Sequence, residues 1–160
     1  MYIISILMKF DFSQRLGFLV NDVARMYGAR FDRQARERIG LSRAQCRLLG
    51  TLAKRDEPMS QAELAQHLEL TPMAVGGLCE RLVAGGWVVR RPSAQDRRAY
   101  EVHLAPTAEK ALEAAMRISD EIQAQALADL SPAERGQLTD LLDRVRRTLL
   151  KDGAATEASA

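Results

Sequence analysis

Aromatic residues are scarce in this sequence. One tryptophan, three tyrosines and four phenylalanines make up 5% of 160 residues, so a core must be built mostly from Leu, Val, Ile, Ala and Met. Cysteine is scarcer still. Cys46 and Cys79 lie far apart and join no CxxC or Cys/His cluster, which leaves no zinc-ligand spacing and no disulfide framework and points to a reducing cytoplasm. His67 and His103 likewise lack acidic or thiol company at ligand spacing and read as surface histidines. No metal or cofactor is expected. The apolar N-terminal stretch MYIISILM is far shorter than the roughly 20 residues a bilayer needs. It also lacks the basic segment and small-residue cleavage site of a secretion signal, so no membrane partner is expected. A strong charge of one sign is missing too: the formal net charge is +2, and any nucleic-acid reading must rest on local clustering. GxSxG, P-loop and GxGxxG motifs are absent, and the chain does not read as an enzyme.

What the sequence does contain is a series of helix-start signals. Ser42-Arg-Ala-Gln45, Ser60-Gln-Ala-Glu63 and Ser131-Pro-Ala-Glu134 each place a hydroxyl three residues ahead of Gln or Glu. That spacing lets two orphan N–H groups be satisfied reciprocally. Thr71-Pro72 offers a capping hydroxyl followed by proline at the first helical position.

Apolar residues then recur at helical spacing. Leu16, Leu19, Val23 and Met26 predict a long first helix over 13–39. Leu48, Leu49 and Leu52 mark a second helix, and Leu64, Ala65 and Leu68 a short third. Val75, Leu78 and Leu82 mark a fourth, which Gly85-Gly86 is expected to stop. Leu112, Met116, Ile118 and Ile122 lie on a long fifth, and Leu138, Leu141, Leu142, Val145 and Leu149 stripe a sixth. One region departs from this period. Trp87-Val-Val-Arg-Arg91 has β character, and Tyr100, Val102 and Leu104 alternate with Glu101 and His103. The polar stretch between them makes a β-hairpin, so the fold class is mainly α with a small β-hairpin wing. Trp87, opening a strand behind two glycines, reads as a packing residue.

The third and fourth helices are joined tightly around Glu69-Leu70, which is helix-turn-helix spacing. In such a unit the second helix enters the major groove with its N-terminal end leading. Val75, Leu78 and Leu82 would face inward, with Cys79 toward the interior, leaving Met73, Gly76, Gly77 and Glu80 outward and Arg81 on the flank. Candidate DNA contacts are therefore Ser60, Gln61, Thr71, Met73, Ala74, Gly76, Gly77 and Arg81. Free N–H groups near Thr71 favour a phosphate. The hairpin adds Arg90, Arg91, Arg97 and Arg98 against Asp96, a local excess of three positive charges. Arg97 and Arg98 are wing candidates for a narrow minor groove, where negative potential is enhanced, with Asp96 as their support.

Taken together, Leu41-Ser-Arg-Ala-Gln45, Ser60-Gln-Ala-Glu-Leu-Ala65, Leu78-Cys-Glu-Arg-Leu82, Gly86-Trp-Val-Val-Arg-Arg91 and Asp96-Arg-Arg98 followed by Leu104 resemble the MarR family of bacterial regulators. The resemblance runs in register from about Leu16 to Leu149. It implies a winged helix-turn-helix over 41–105, with dimerisation helices over 13–40 and 106–150. Residues 1–12 are then an N-terminal extension, with Met8 as an alternative start, and 151–160 a disordered tail. It further implies a homodimer on double-stranded DNA that places two recognition helices in successive major grooves of a pseudo-palindromic operator. Arg98 is the wing residue it sends into the minor groove. A small aromatic or phenolic effector would release a repressor of this kind. In the family, the second helix borders the effector cavity, so Cys46, Arg47 and Arg25 are the pocket candidates here. A packed Cys46 with surface arginines is the alternative. Two further alternatives stand: a winged-helix module that binds protein rather than DNA, and a redox-responsive regulator using Cys46 or Cys79.

The sequence departs from the family pattern twice. Gly76-Gly77 replaces polar residues, at a cost of about 1 kcal/mol per glycine in helix propensity. Ala105-Pro106 stands where a capping hydroxyl is usual, which leaves the expected start of the fifth helix uncapped.

Overall fold

The structure is a computed structural model that describes residues 12–55, 57–93 and 100–157. The N-terminal extension 1–11 and the wing tip 94–99 lie outside the described residues. The chain divides into two compact units, residues 1–122 and 123–160.

Helix α1 (Leu16–Ile39) starts without a side-chain cap and stops at Gly40, whose φ of 68° lets its own N–H return to the Arg36 carbonyl and the Leu41 N–H to the Ala35 carbonyl. Only glycine adopts that left-handed turn without strain. Helix α2 (Arg43–Ala53) opens on the expected Ser42/Gln45 capping box. A short strand, β1 (Met59–Ser60), runs directly into helix α3 (Gln61–Leu68), which is capped by the Ser60/Glu63 box. Helix α4 (Pro72–Ala84) follows, with Thr71 accepting from the Ala74 N–H and Pro72 in the first turn. The chain reverses at Gly86 (φ 73°), where Trp87 N–H reaches back to the Leu82 carbonyl. Strands β2 (Val88–Pro92) and β3 (Tyr100–Leu104) then form the expected antiparallel hairpin, pairing Val88 with Leu104 and Arg90 with Val102.

The sheet has three strands rather than two. Strand β1 adds to β3 through the pairs Met59–Val102 and Ser60–Glu101, giving the order β1-β3-β2. A two-residue strand is too short to show a period of two, so alternation could not announce it. It makes β3 the central strand. His103 is therefore half-buried, not a surface histidine, and its Nε2 sits 3.5 Å from Glu101. His67 is exposed as expected.

Helix α5 (Ala108–Ala126) begins immediately after Thr107. The uncapped start expected at Ala105 is thus displaced two residues along the chain. Ala105 instead donates its N–H to the Trp87 carbonyl, and the Thr107 hydroxyl donates to the Gly86 carbonyl at 2.6 Å.

Within residues 12–122 one continuous core joins these elements: Leu41, Leu48 and Leu49, Met59, Leu64, Val75 and Leu82, Val88, Val102, Ile118 and Ile122. Trp87 packs half-buried against it, as its sequence position suggested. The sparse aromatics leave the centre aliphatic, as the composition required.

The second unit carries helix α6 (Pro132–Glu157), opened by the expected Ser131/Glu134 box. Its backbone is helical to Glu157, and residues 158–160 of the expected tail lie outside the described residues. Ala154 and Ala155 are strong helix formers and outweigh a single glycine.

Candidate nucleic-acid interface

The helix-turn-helix is built by caps and a strained turn. At its entrance, Ser60 is fully engaged: its N–H and hydroxyl both donate to Glu63 Oε2, at 2.7 and 2.8 Å, and its Oγ accepts from Glu63 N–H. These donors hold the Glu63 carboxyl below its usual range, the backbone N–H contributing most. Helix α3 ends at Glu69, a non-glycine residue at φ 55°. That left-handed residue lets Leu70 N–H return to the Ala65 carbonyl and aims the chain into α4. Arg47, on α2, donates to the Leu68 carbonyl at 3.5 Å.

Helix α4 buries Val75, Leu78, Cys79 and Leu82 and so fixes which face looks outward. That face carries Met73, which is 85% exposed, with exposed Ala74 and Arg81 and half-buried Gly76 and Gly77. Packing inside the chain does not require either glycine. A Cβ at Gly76 would meet only the end of the Gln61 amide at 4.0 Å, and one at Gly77 only the Arg81 guanidinium at 3.8 Å. The space above them is open, so a surface brought against α4 can approach its backbone closely.

Gln61 and Arg90 are not left outward. With the Gln61 amide turned so that its oxygen faces the strand, it accepts from Arg90 Nε at 3.2 Å and Nη2 at 2.9 Å. The same Nη2 donates to the Gly76 carbonyl at 3.4 Å. Among the wing candidates, Asp96, Arg97 and Arg98 fall outside the described residues. The described stem is held across the hairpin by Ser93 donating to Glu101 at 2.8 Å.

A cavity of about 310 Å³ opens between α1, α2 and α5, lined by Tyr27, Phe31, Arg43, Cys46, Arg47 and Leu112 among others. Two of the three pocket candidates, Cys46 and Arg47, line it. Arg25 does not: it is exposed and paired with Asp22 at 3.2 Å. Two helical steps rotate by roughly 200°, so Arg25 points away from the face that carries Tyr27. The cation that sequence reasoning missed is Arg43. It lies three and four residues before Cys46 and Arg47, on the same face of α2, which the helical period could have revealed. Its guanidinium lies across Gly28 of α1, where a Cβ would collide with Nη1. Asp32 accepts from the Arg43 backbone N–H at 2.7 Å, and the Arg43 charge helps hold that carboxyl below its usual range, after the Arg36 side chain and this backbone N–H. Opposite, the Tyr27 hydroxyl hydrogen-bonds Ser119 on α5 at 2.9 Å.

Both thiols are buried. Burial, and then the charge of Asp32, push the Cys46 thiol up to about 11. Burial also raises Cys79, against the opposing influence of Arg90. Among the described residues no group of His, Cys, Asp and Glu is arranged to hold a metal, and no helix is long and apolar enough to cross a membrane.

Known proteins share this arrangement. A family profile described as "MarR family" matches residues 39–99. The Bacillus subtilis protein "Uncharacterized HTH-type transcriptional regulator YdgJ" is 29% identical over 110 residues, 69% of this chain. The chain spans 66% of that relative's length, just under two thirds. A solved structure described as a "probable transcriptional regulator from Pseudomonas aeruginosa" is 30% identical, with a TM-score of 0.70, covering 84% of this chain and 99% of that one. The Staphylococcus aureus MepR–DNA complex shares the fold at 23% identity and a TM-score of 0.68, over 83% of this chain and 97% of that one. With its winged helix-turn-helix in place and this likeness along nearly the whole of a solved relative, the chain belongs to the MarR family.

Proposed function

We propose that this chain is a cytoplasmic, homodimeric transcriptional regulator that binds a pseudo-palindromic DNA operator and represses until a small aromatic or phenolic anion releases it. The observation that carries the reading is helix α4. Four buried residues pin one face, and the opposite face stands open beside the wing stem. A helix held in this way suits the major groove, and a basic loop next to it suits the minor groove. MepR, which shares the fold, is solved on DNA.

Dimerisation is supported by apolar residues that a single chain leaves in water. On α1 these are Leu16, Leu19, Val23 and Met26; on α6 they include Leu141, Leu142, Val145 and Leu149. Effector binding is supported by the cavity: an apolar chamber of about 310 Å³ with two guanidinium groups on its wall suits a flat carboxylate or phenolate. The redox alternative finds less support, because both thiols are buried and raised, whereas a sensor cysteine is accessible and low in pKa. The protein-binding alternative has one observation in its favour, the 85% exposed Met73.

One assay separates these readings. Selection from a random duplex pool, followed by anisotropy titration, is expected to yield a palindromic sequence bound at nanomolar strength with steep salt dependence. No enrichment over random DNA removes the DNA-binding reading and leaves the protein module. Weakening of the selected complex by salicylate-like anions, but not by neutral aromatics, tests the effector.

A further inference from the structure

We infer that Arg90, which the sequence counts among the wing's DNA-facing charges, is an internal brace that sets the angle between wing and recognition helix and touches no phosphate. The inference rests on the DNA-binding reading above and concerns how that interface is held in shape.

Arg90 leaves strand β2 on the side of the helix-turn-helix. Its side chain meets two elements at once. Nε and Nη2 converge on the Gln61 amide oxygen at the first residue of α3, at 3.2 and 2.9 Å. Nη2 also reaches the Gly76 carbonyl in the middle of α4, at 3.4 Å. That carbonyl belongs to the helix's own ladder, so the arginine is a second donor on a backbone atom rather than on a movable side chain. One planar, always charged group thus fixes strand, first helix and second helix to each other. The fork geometry matters: a lysine offers a point charge and cannot span two acceptors in the same way. Residue 90 is only partly exposed, unlike Arg91 beside it.

Two consequences follow. First, Gln61 and Gly76, both candidate DNA contacts from sequence, spend acceptors on Arg90 and not on DNA. Second, the positive charge that the wing offers to the double helix is smaller by one than the sequence count. A guanidinium turned inward releases no counterion when DNA binds, so its removal weakens the complex without flattening the salt dependence.

The experiment uses the full chain and the duplex enriched from a random pool by the wild type. Arg90→Gln, Gln61→Ala and Gln61→Glu are titrated across a range of KCl concentrations, with Arg81→Ala as the comparison variant. Arg90→Gln, which removes the charge, is expected to lose about tenfold in affinity while keeping the wild-type slope of log K against log salt. Removing a phosphate contact would lower that slope by about one. Gln61→Glu is expected to bind better than Gln61→Ala, since a carboxylate still accepts from Arg90. The reverse order means that residue 61 faces phosphate, and it overturns the brace. A slope that falls by about one in Arg90→Gln overturns it as well. On the free protein, Arg90→Gln and Gln61→Ala are expected to be non-additive in urea unfolding, because each removes the same contact; additive losses count against the brace. A wild type that enriches no duplex sinks the DNA-binding reading and this use of Arg90 together, whereas a bound duplex with the wrong slope sinks the brace alone.

Discussion

The helix-turn-helix core and the first half of α1 use the same kinds of residue in opposite ways. Leu48, Leu49, Leu64, Val75 and Leu82 are at most 1% exposed. Leu16, Leu19, Val23 and Met26, at equally regular helical spacing, are each at least half exposed. Helix α6 repeats the pattern, with Leu141, Leu142, Val145 and Leu149 between 40% and 67% exposed. The first set completes itself within one chain. The second is amphipathic, its apolar side left exposed among the described residues, and such faces mark association surfaces. Hydrophobic periodicity therefore reports that a face will be buried, not by which chain.

That contrast can be broken at its weak end first. Leu141→Asp is expected to cost about 3–5 kcal/mol of self-association per copy, by leaving a charge unpaired in an apolar contact. Sedimentation would show a folded monomer with unchanged far-ultraviolet dichroism; an unchanged dimer would clear α6 of the role. At the self-sufficient end, Leu82→Ala is expected to lose about 2–5 kcal/mol of folding stability in urea, since Leu82 is fully buried in the common core. A loss below about 1 kcal/mol would mean that α4 is not held by that core.

The remaining predictions sharpen the comparison. Arg98→Ala is expected to weaken operator binding by about 1–3 kcal/mol and lower the salt slope by about one, with the dimer intact. Thr71→Ala removes the hydroxyl that accepts from Ala74 N–H and is expected to cost about 1 kcal/mol, read as a lower melting temperature with unchanged oligomeric state. The smallest effect belongs to Cys46. Its thiol is raised in the folded chain to about 11 from an ordinary 9.0. The unfolded chain ionises first as pH rises, so the stability this burial contributes is whole below pH 9.0 and is lost between there and about 11. Alkylation by iodoacetamide near neutral pH is expected to be much slower in the folded protein than in urea. Equal rates would restore Cys46 as a sensor candidate.

Most of the fold was legible in the sequence because its signals are local. The capping boxes at Ser42, Ser60 and Ser131, the Thr71-Pro72 start and the stop at Gly86 each depend on residues within one turn, and each is present. What depended on distant partners was not legible. Strand β1 exists because β3 offers it an edge. Helix α5 starts at Ala108, after Thr107 has bonded the Gly86 carbonyl, 21 residues away in sequence. The site divides in the same manner. The outward face of α4 followed from the period, whereas the engagement of Gln61 by Arg90 could be found only once the wing was folded back on α3. Arg25 failed as a pocket residue through an angle of rotation, and Arg43 was available from that same angle.

Gly28 shows what a missing side chain can govern. Because α1 is notched there, the Arg43 guanidinium lies over Gly28, although the arginine as a whole stays exposed. The placement of charge on the cavity wall is thus dictated by empty space on a neighbouring helix. Alanine at this position would need the volume that the guanidinium now fills and would evict it. A single methyl group, itself uncharged and unable to hydrogen-bond, would then move the positive charge on the cavity wall.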